Sequence, residues 1–272
     1  MKEYQKSIIP HVEALYDSFT PSEKTIADFF IHNTDEVDVS SKNLSKKLFV
    51  SEASISRFAK KCGFDGYREF IFVYKQSFEK STPNITNSYT KQVLNTYEEL
   101  LNKSYTLIDE KQIQRVVDMI SNKKRIYIYG RGSSGLVAQE MKLRLMRLGV
   151  NVEAISDSHI MKMNSVLMDN ECLVIGISIS GNTKEVINSL KEAHQRGSSI
   201  VLMTSKQDEE MYKYCDEILY VAVKEHLENG KAISPQFPVL VIVDIFYAHF
   251  LQSDRLRKEE LHSNTINALY NE

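Results

Sequence analysis

Apolar side chains in the first eighty residues return every three to four positions, the spacing of helices that each bury one stripe. Thr20-Pro21-Ser22-Glu23 predicts a helix start, with Thr20 as N-cap, Pro21 at the first helical position and Glu23 completing a capping box. Ile26, Phe29 and Phe30 then form the buried stripe. A short helix follows around Asn43 to Leu48, with Leu44 and Leu48 one turn apart. After Phe49-Val50, Ser51 caps a further helix whose apolar positions are Ile55, Phe58, Ala59 and Cys62, one face at i, i+3, i+4 and i+7. Gly63 ends it where a left-handed residue is wanted, and another helix begins near Tyr67.

From Ser81 to about Asn95 the chain turns to Ser, Thr, Asn and a proline, which reads as linker. Beyond it the period changes. Short β-branched and aromatic runs, Arg125–Tyr129, Val152–Ile155, Cys172–Ile177, Ile200–Met203 and Ile218–Val223, alternate with helical patterns. Ile126–Tyr129 and Leu173–Ile177 are apolar throughout, as in parallel strands covered on both faces. The expected organisation is an all-α domain over residues 1–80, a linker over 81–105 and an α/β domain over 106–272.

A length of 272 residues suits two such domains, at roughly 100–200 residues each. With 42% apolar and 26% charged residues the composition is that of a folded chain. The longest apolar run, Phe237 to Leu251, contains Asp244 and falls short of the roughly 20 residues of a membrane span. No apolar signal core follows Met1, and Cys62, Cys172 and Cys215 are scattered without metal-ligand spacing. A cytoplasmic protein without membrane contact or bound metal is expected.

Charge sharpens this picture. Residues 1–41 hold three basic and eight acidic side chains; residues 42–75 reverse this, with eight basic and three acidic. A local positive field of that kind suits a polyanion, although a solvated helix surface gives the same count. A short helix, a turn at Phe49-Val50-Ser51 and a capped second helix make the helix-turn-helix order, in which the second helix enters the major groove N-terminus first. Its outward face would present Ser51, Ser54, Ser56, Arg57, Lys60 and Lys61. Serine hydroxyls can reach base edges or phosphates, and arginine can pair with guanine in a bidentate fork. Lys46 and Lys47 before it, and Tyr67 and Arg68 after it, are placed to meet phosphates. A helical bundle for dimerisation is the alternative, with Arg57 then buried against Glu52 or Glu69.

Two loops of the α/β half follow strands and open helices, where open α/β sheets bind ligands. The first is Gly130-Arg131-Gly132-Ser133-Ser134-Gly135 and the second Ser178-Ile179-Ser180-Gly181-Asn182-Thr183. Neither carries the Gly-Lys-Ser/Thr of a nucleotide-triphosphate loop. The first formally matches Gly-x-Gly-x-x-Gly, which keeps a dinucleotide as a lesser option, because Glu153 lies inside its strand and none ends it. Ser178, Ser180 and Thr183 can each donate to a phosphate oxygen, the helix start adds backbone donors, and Gly181 permits close approach. The alternative is that these serines merely cap the next helix.

The run Val50 to Tyr67 resembles the Ser-x-x-Thr-x-x-Arg-Phe…Gly-Phe-x-Gly-Phe/Tyr signature of the RpiR/MurR type of bacterial transcriptional regulators, with Ser54 where threonine is usual. Gly130-x-Gly132-x-Ser134 and Ser178-x-Ser180-Gly181-x-Thr183 resemble the sugar isomerase (SIS) domain joined to it in that family, and Ser234 with the run Val239–Tyr247 resembles its last helix. The resemblance implies a SIS-type αβα sandwich with a five-stranded parallel sheet. It also implies a phosphosugar effector held around Gly132, Ser133, Ser134, Ser178, Ser180, Gly181, Asn182, Thr183 and Ser234, operator DNA as partner, and a homodimer or homotetramer. Arg131 and Asn182 depart from the family pattern and bear on sugar recognition. SIS domains also occur in aldose–ketose isomerases, whose chemistry needs a general base. Glu140, His159, Glu185 and His249 are the loose candidates, and spacing singles out none. The attached DNA-binding pattern favours a regulator carbohydrate metabolism would use, with no catalytic residue and no cofactor, over an isomerase.

Overall fold

Why the first segment folds as it does is visible at its first long helix. In the computed structural model, which describes residues 8–33, 37–78, 88–224 and 233–270, the capping box at Thr20 forms. Glu23 N–H donates to Thr20 Oγ1 at 3.4 Å, and Thr20 N–H donates to the Glu23 carboxylate at 2.9 Å. The chain divides into two units, Met1–Asn87 and Ser88–Glu272.

The first unit runs through α1 (Ile9–Ala14), a 3-10 turn (Tyr16–Ser18), α2 (Pro21–His32), α3 (Ser41–Leu48), α4 (Glu52–Lys61) and α5 (Tyr67–Phe78). Its core is aromatic. The Phe30 ring from α2 lies 4.9 Å from Phe70 and 4.7 Å from Tyr74 on α5, and Phe58 on α4 lies 5.3 Å from Phe70. Edge-to-face contacts at these spacings fasten the three helices together. Gly63 has φ 85° and closes α4 by a paired bond set: its N–H donates to Lys60 O and that of Phe64 to Ala59 O.

The second unit opens with α6 (Ser88–Leu107) and α7 (Glu110–Asn122) and then alternates. The alternation runs β1 (Arg125–Gly130), α8 (Ser133–Met146), β2 (Val152–Ile155), α9 (Ser158–Ser165), β3 (Cys172–Ile177), α10 (Lys184–Gln195), β4 (Ser199–Thr204) and β5 (Glu217–Tyr220). The last two elements are α11 (Phe237–Gln252) and α12 (Arg255–Tyr270). The sheet has five strands, all parallel, in the order β2-β1-β3-β4-β5. Period-two alternation sends Leu173, Ile175, Ile177, Val201 and Met203 into a core shared with α7, α8 and α11. Cys172, Val174, Ile200 and Leu202 go to the opposite face, under α9 and α10. This is an αβα sandwich.

Three expectations shift. Residues 81–87 of the expected linker lie outside the described residues, and residues 88–105 form most of α6. The polar composition there conceals a single buried edge: Thr96, Leu100 and Ser104 are buried at four-residue intervals, and the Tyr97 ring meets Phe237 edge-on at 4.6 Å. The run Val239–Tyr247 lies in α11, which is not the last helix, since α12 follows it. β5 ends at Tyr220 rather than Val223, because Ala222 leaves the sheet to pack with Leu100 and Ile233.

Candidate functional site

In the first unit, α3 and α4 form the helix-turn-helix. Ser40 caps α3, and Ser51 caps α4 by accepting from Ser54 N–H at 3.1 Å. Ile55, Phe58, Ala59 and Cys62 are buried as the period requires, and burial pushes the Cys62 thiol up to about 12. On the outer face a polar ladder climbs the first turns of α4: the Ser51 and Ser54 hydroxyls are 2.9 Å apart, and Arg57 Nη2 donates to Ser54 Oγ at 3.1 Å. Arg57 is therefore exposed rather than buried against Glu52 or Glu69, whose carboxylates serve Ser41 Oγ and Asp65 N–H. Lys46, Lys60 and Arg68 are exposed and Ser56 half-buried.

Three expected DNA contacts are engaged elsewhere. Lys61 Nζ donates to Ser18 O and lies 3.0 Å from the Glu23 carboxylate, so it ties α4 to the start of α2. The Tyr67 hydroxyl donates to Val39 O at 2.6 Å, and burial raises its pKa. Lys47 Nζ rests over the Phe29 ring at 4.9 Å, an attachment weak enough to exchange for a phosphate.

In the second unit, strand register brings the two loops side by side. Gly130 at the end of β1 pairs with Ile177 at the end of β3, and the strands there are about 4.8 Å apart. The order β2-β1-β3 reverses direction at this point, so the crevice between β1 and β3 is the topological switch point of the sheet. The glycines of the first loop are fixed by packing. A Cβ on Gly130 would lie 2.5 Å from Ser134 O, and one on Gly135 would lie 3.0 Å from Gly130 O. Gly132 takes φ 54°. Asp157, two residues past β2, is the acidic residue nearest to a ribose-binding position, but its carboxylate caps α9 by accepting from His159 and Ile160 N–H. Acceptance from the Ile160 N–H also holds its carboxyl below the usual range.

The second loop is cross-linked internally. Ser178 Oγ donates to Thr183 Oγ1 at 3.0 Å, and Ser180 Oγ accepts from Asn182 N–H at 3.3 Å. Ile179 O is held by the Ser205 N–H and hydroxyl, which anchors the loop on the end of β4. Gly181 has φ 66° and lies under the Lys206 stem, where a Cβ would approach Lys206 Cβ to 2.7 Å. Lys206 Nζ contacts Asn182 Oδ1 at 3.3 Å and Asp208 at 2.9 Å, and this cation holds the Asp208 carboxyl down. Sequence reading missed Lys206; its position just past the end of β4 was the available signal.

α8 and α10, like α1 and α11, begin without a side-chain cap, whereas side-chain oxygens close α2, α3, α4, α7 and α9. Ser178 Oγ accepts from the N–H of Thr183, the residue before α10, at 3.4 Å. Ser133 and Ser134 are half-buried at the start of α8. Ser234 accepts from Gln236 N–H just before α11, and its described contacts reach neither loop. Glu140, His159 and Glu185 are exposed, and His249 faces Glu110 at 3.2 Å. Among the described residues no group of His, Cys, Asp or Glu is placed to hold a metal, and no single helix is long and apolar enough to cross a membrane.

Residues 6–81 match the family described as the helix-turn-helix domain of the rpiR family, and residues 119–243 match the SIS domain. A protein from Haemophilus influenzae named as an HTH-type transcriptional regulator is 30% identical over 281 residues, covering 97% of this chain and 96% of its own. The solved structure of the Vibrio vulnificus NanR protein complexed with ManNAc-6P is 22% identical, with a TM-score of 0.61, over 97% of this chain and 98% of that one. A putative sugar-phosphate isomerase from Listeria monocytogenes shares the fold of 64% of this chain and 92% of its own, at 19% identity and a TM-score of 0.55.

Proposed function

The chain belongs to the rpiR family of helix-turn-helix transcriptional regulators, and from that membership we propose that it binds operator DNA through α3 and α4 and senses a phosphosugar at the β1–β3 crevice. The observation that carries the sensing site is the pair of helix starts, α8 and α10, left without side-chain caps at the switch point of the sheet. The first-turn N–H groups of α10 and the positive ends of two helix dipoles favour an anion, while Ser134 and Gly135 N–H on α8 donate to Arg131 O and Gly132 O. Ser134, Ser178, Ser180 and Thr183 supply hydroxyls, and Lys206 supplies a cation that the second loop lacks, beside Arg131 of the first. Hydrogen bonds to a charged group contribute about 1.5–3 kcal/mol each, enough for three or four to retain a sugar phosphate. ManNAc-6P, the ligand of the Vibrio vulnificus protein, is of that class.

The regulator needs no catalytic base and no cofactor. The two carboxylates tied to loop residues, Asp157 near Arg131 and Asp208 on Lys206, are held as anions below the usual range and are poor bases at neutral pH. The protein works in the cytoplasm as a homodimer or homotetramer. Exposed Leu136, Leu143 and Met146 on α8, with Met163 and Leu167 near α9, supply apolar surface for self-association. Effector and operator are coupled by about 1–3 kcal/mol, some 5–150-fold in operator affinity.

The test is selection of fragments from the source genome by the purified protein, with and without mixed sugar phosphates. Enrichment of one roughly two-fold symmetric site, altered by the sugars, is expected. Ser180→Ala should abolish the sugar effect and keep the enrichment. Loss of both would displace the site, and no enrichment under any condition would refute DNA binding and return the isomerase to first place.

A further inference from the structure

Phe49 is anomalous twice over. It occupies the turn between α3 and α4 with φ 55° and ψ 37°, a left-handed conformation that glycine takes freely and an L side chain resists. It is also 96% exposed, the most exposed of the large apolar side chains among the described residues. Its neighbours Leu48 and Val50 pack against the helical core, and Phe49 does not. No ring contact or cation–ring contact involving it appears among the described residues. Folding therefore gains nothing from a phenyl ring here, and both the backbone and the hydration of the ring weigh against it.

The surroundings point to what the ring meets. Lys46 and Lys47 precede it, and the polar ladder Ser51, Ser54 and Arg57 follows it, within a segment carrying eight basic and three acidic residues. An apolar protein partner would find a single ring among charges. A polyanion that also offers apolar edges is a better match, and duplex DNA is one, through its thymine methyl groups and deoxyriboses. The recognition helix enters the groove by its N-terminus, so the turn before it lies at the groove rim. We propose that Phe49 is a DNA-contacting residue whose ring, held outward by the left-handed turn, packs against a thymine methyl group or deoxyribose of the operator beside the recognition helix. The inference rests on the DNA-binding reading above.

The proposal predicts opposite signs for stability and affinity. In the full chain, Phe49→Gly should relieve the turn and raise the unfolding midpoint of the first unit by about 4–8 °C. The same substitution should weaken binding to the genomic fragment enriched by the wild type by about 5- to 20-fold, from loss of a partly buried ring. The salt dependence of binding should keep its slope, because no phosphate contact is lost. Phe49→Tyr, which keeps the ring, should bind within about twofold of wild type. Affinity of Phe49→Gly within twofold of wild type would overturn the proposal while leaving DNA binding standing. So would a change in oligomeric state that accounts for the lost affinity, since the ring would then belong to an interface between copies. If the wild type enriches no fragment, the reading beneath the proposal fails instead.

Discussion

Gly130 and Gly176 permit a controlled test of how the β1–α8 turn is built. A methyl group added at either position would meet a heavy atom at the same distance, 2.5 Å, but the atoms differ in kind. At Gly176 the neighbour is Cδ1 of Leu190, the end of a side chain that can change rotamer. At Gly130 it is the carbonyl oxygen of Ser134, with the carbonyl carbon at 2.7 Å and Gly135 N at 3.0 Å, all backbone of the first turn of α8. Relief at Gly130 requires the strand and the helix start to separate by nearly 1 Å. Overpacking of this kind costs about 1–3 kcal/mol, and the upper end applies where only backbone can yield.

Gly130→Ala should therefore destabilise the second unit by about 3 kcal/mol and Gly176→Ala by about 1 kcal/mol. For a unit of this size those losses correspond to lowering its midpoint by about 6–12 °C and about 2–4 °C. Calorimetry of the full chain reads both, with the first unit as internal reference. If the first loop holds the phosphate as proposed, Gly130→Ala should also remove the sugar phosphate response, and Gly176→Ala should keep it. Equal losses for the two variants, or a sugar response surviving in Gly130→Ala, would refute the view that this close backbone approach builds the cradle.

Thr20→Ala removes the oxygen that caps α2, and the first unit should lose about 0.5–2 kcal/mol in denaturant titration. Tyr67→Phe removes the bond to Val39 O; the first unit should lose about 1 kcal/mol while affinity for the selected fragment stays within about twofold, since the hydroxyl faces the protein. Glu99 lies between Lys103 and Lys224, whose hydrogen bonds pull its pKa from 4.5 to about 2. A lowered folded pKa stabilises above the unfolded value, and that contribution is lost as pH falls through the folded one. The midpoint of the second unit should accordingly fall between pH 5 and pH 2, and Glu99→Gln should flatten that fall.

The elements that the sequence discloses are those whose signals are local. The capping box at Thr20, the α4 stripe from Ile55 to Cys62 and the left-handed Gly63 each lie within one turn of the residues they organise, and each stands where the period puts it. The five strands were legible because their apolar β-branched runs are only four to six residues long, whereas the longer run of α11 has the length of a helix. α6 was not, because its burial rests on Thr96, Leu100 and Ser104, two of which are polar and hydrogen-bond back along their own helix. α9 escaped notice for a related reason: Asp157 caps it, but its eight residues are too few to establish a period.

The same division runs through the site. A helical period separates inward from outward positions, yet it does not say what stands outside. Lys61 is outward and exposed on α4, yet the start of α2 lies within its reach, and its charge is engaged by Ser18 O and Glu23. Tyr67 at the start of α5 turns its ring onto Phe30 and Phe70 and its hydroxyl onto Val39 O, so a position expected at a phosphate belongs to the core. Lys206 shows the converse. Nothing in Thr204-Ser205-Lys206 resembles a phosphate loop, and its cation reaches Asn182 only because β4 lies next to β3 and Gly181 leaves room for its stem. Long-range register thus supplies the charge that the hydroxyl loop lacks, and substituting Gly181, a residue with no functional atom of its own, should displace Lys206 as surely as substituting the lysine.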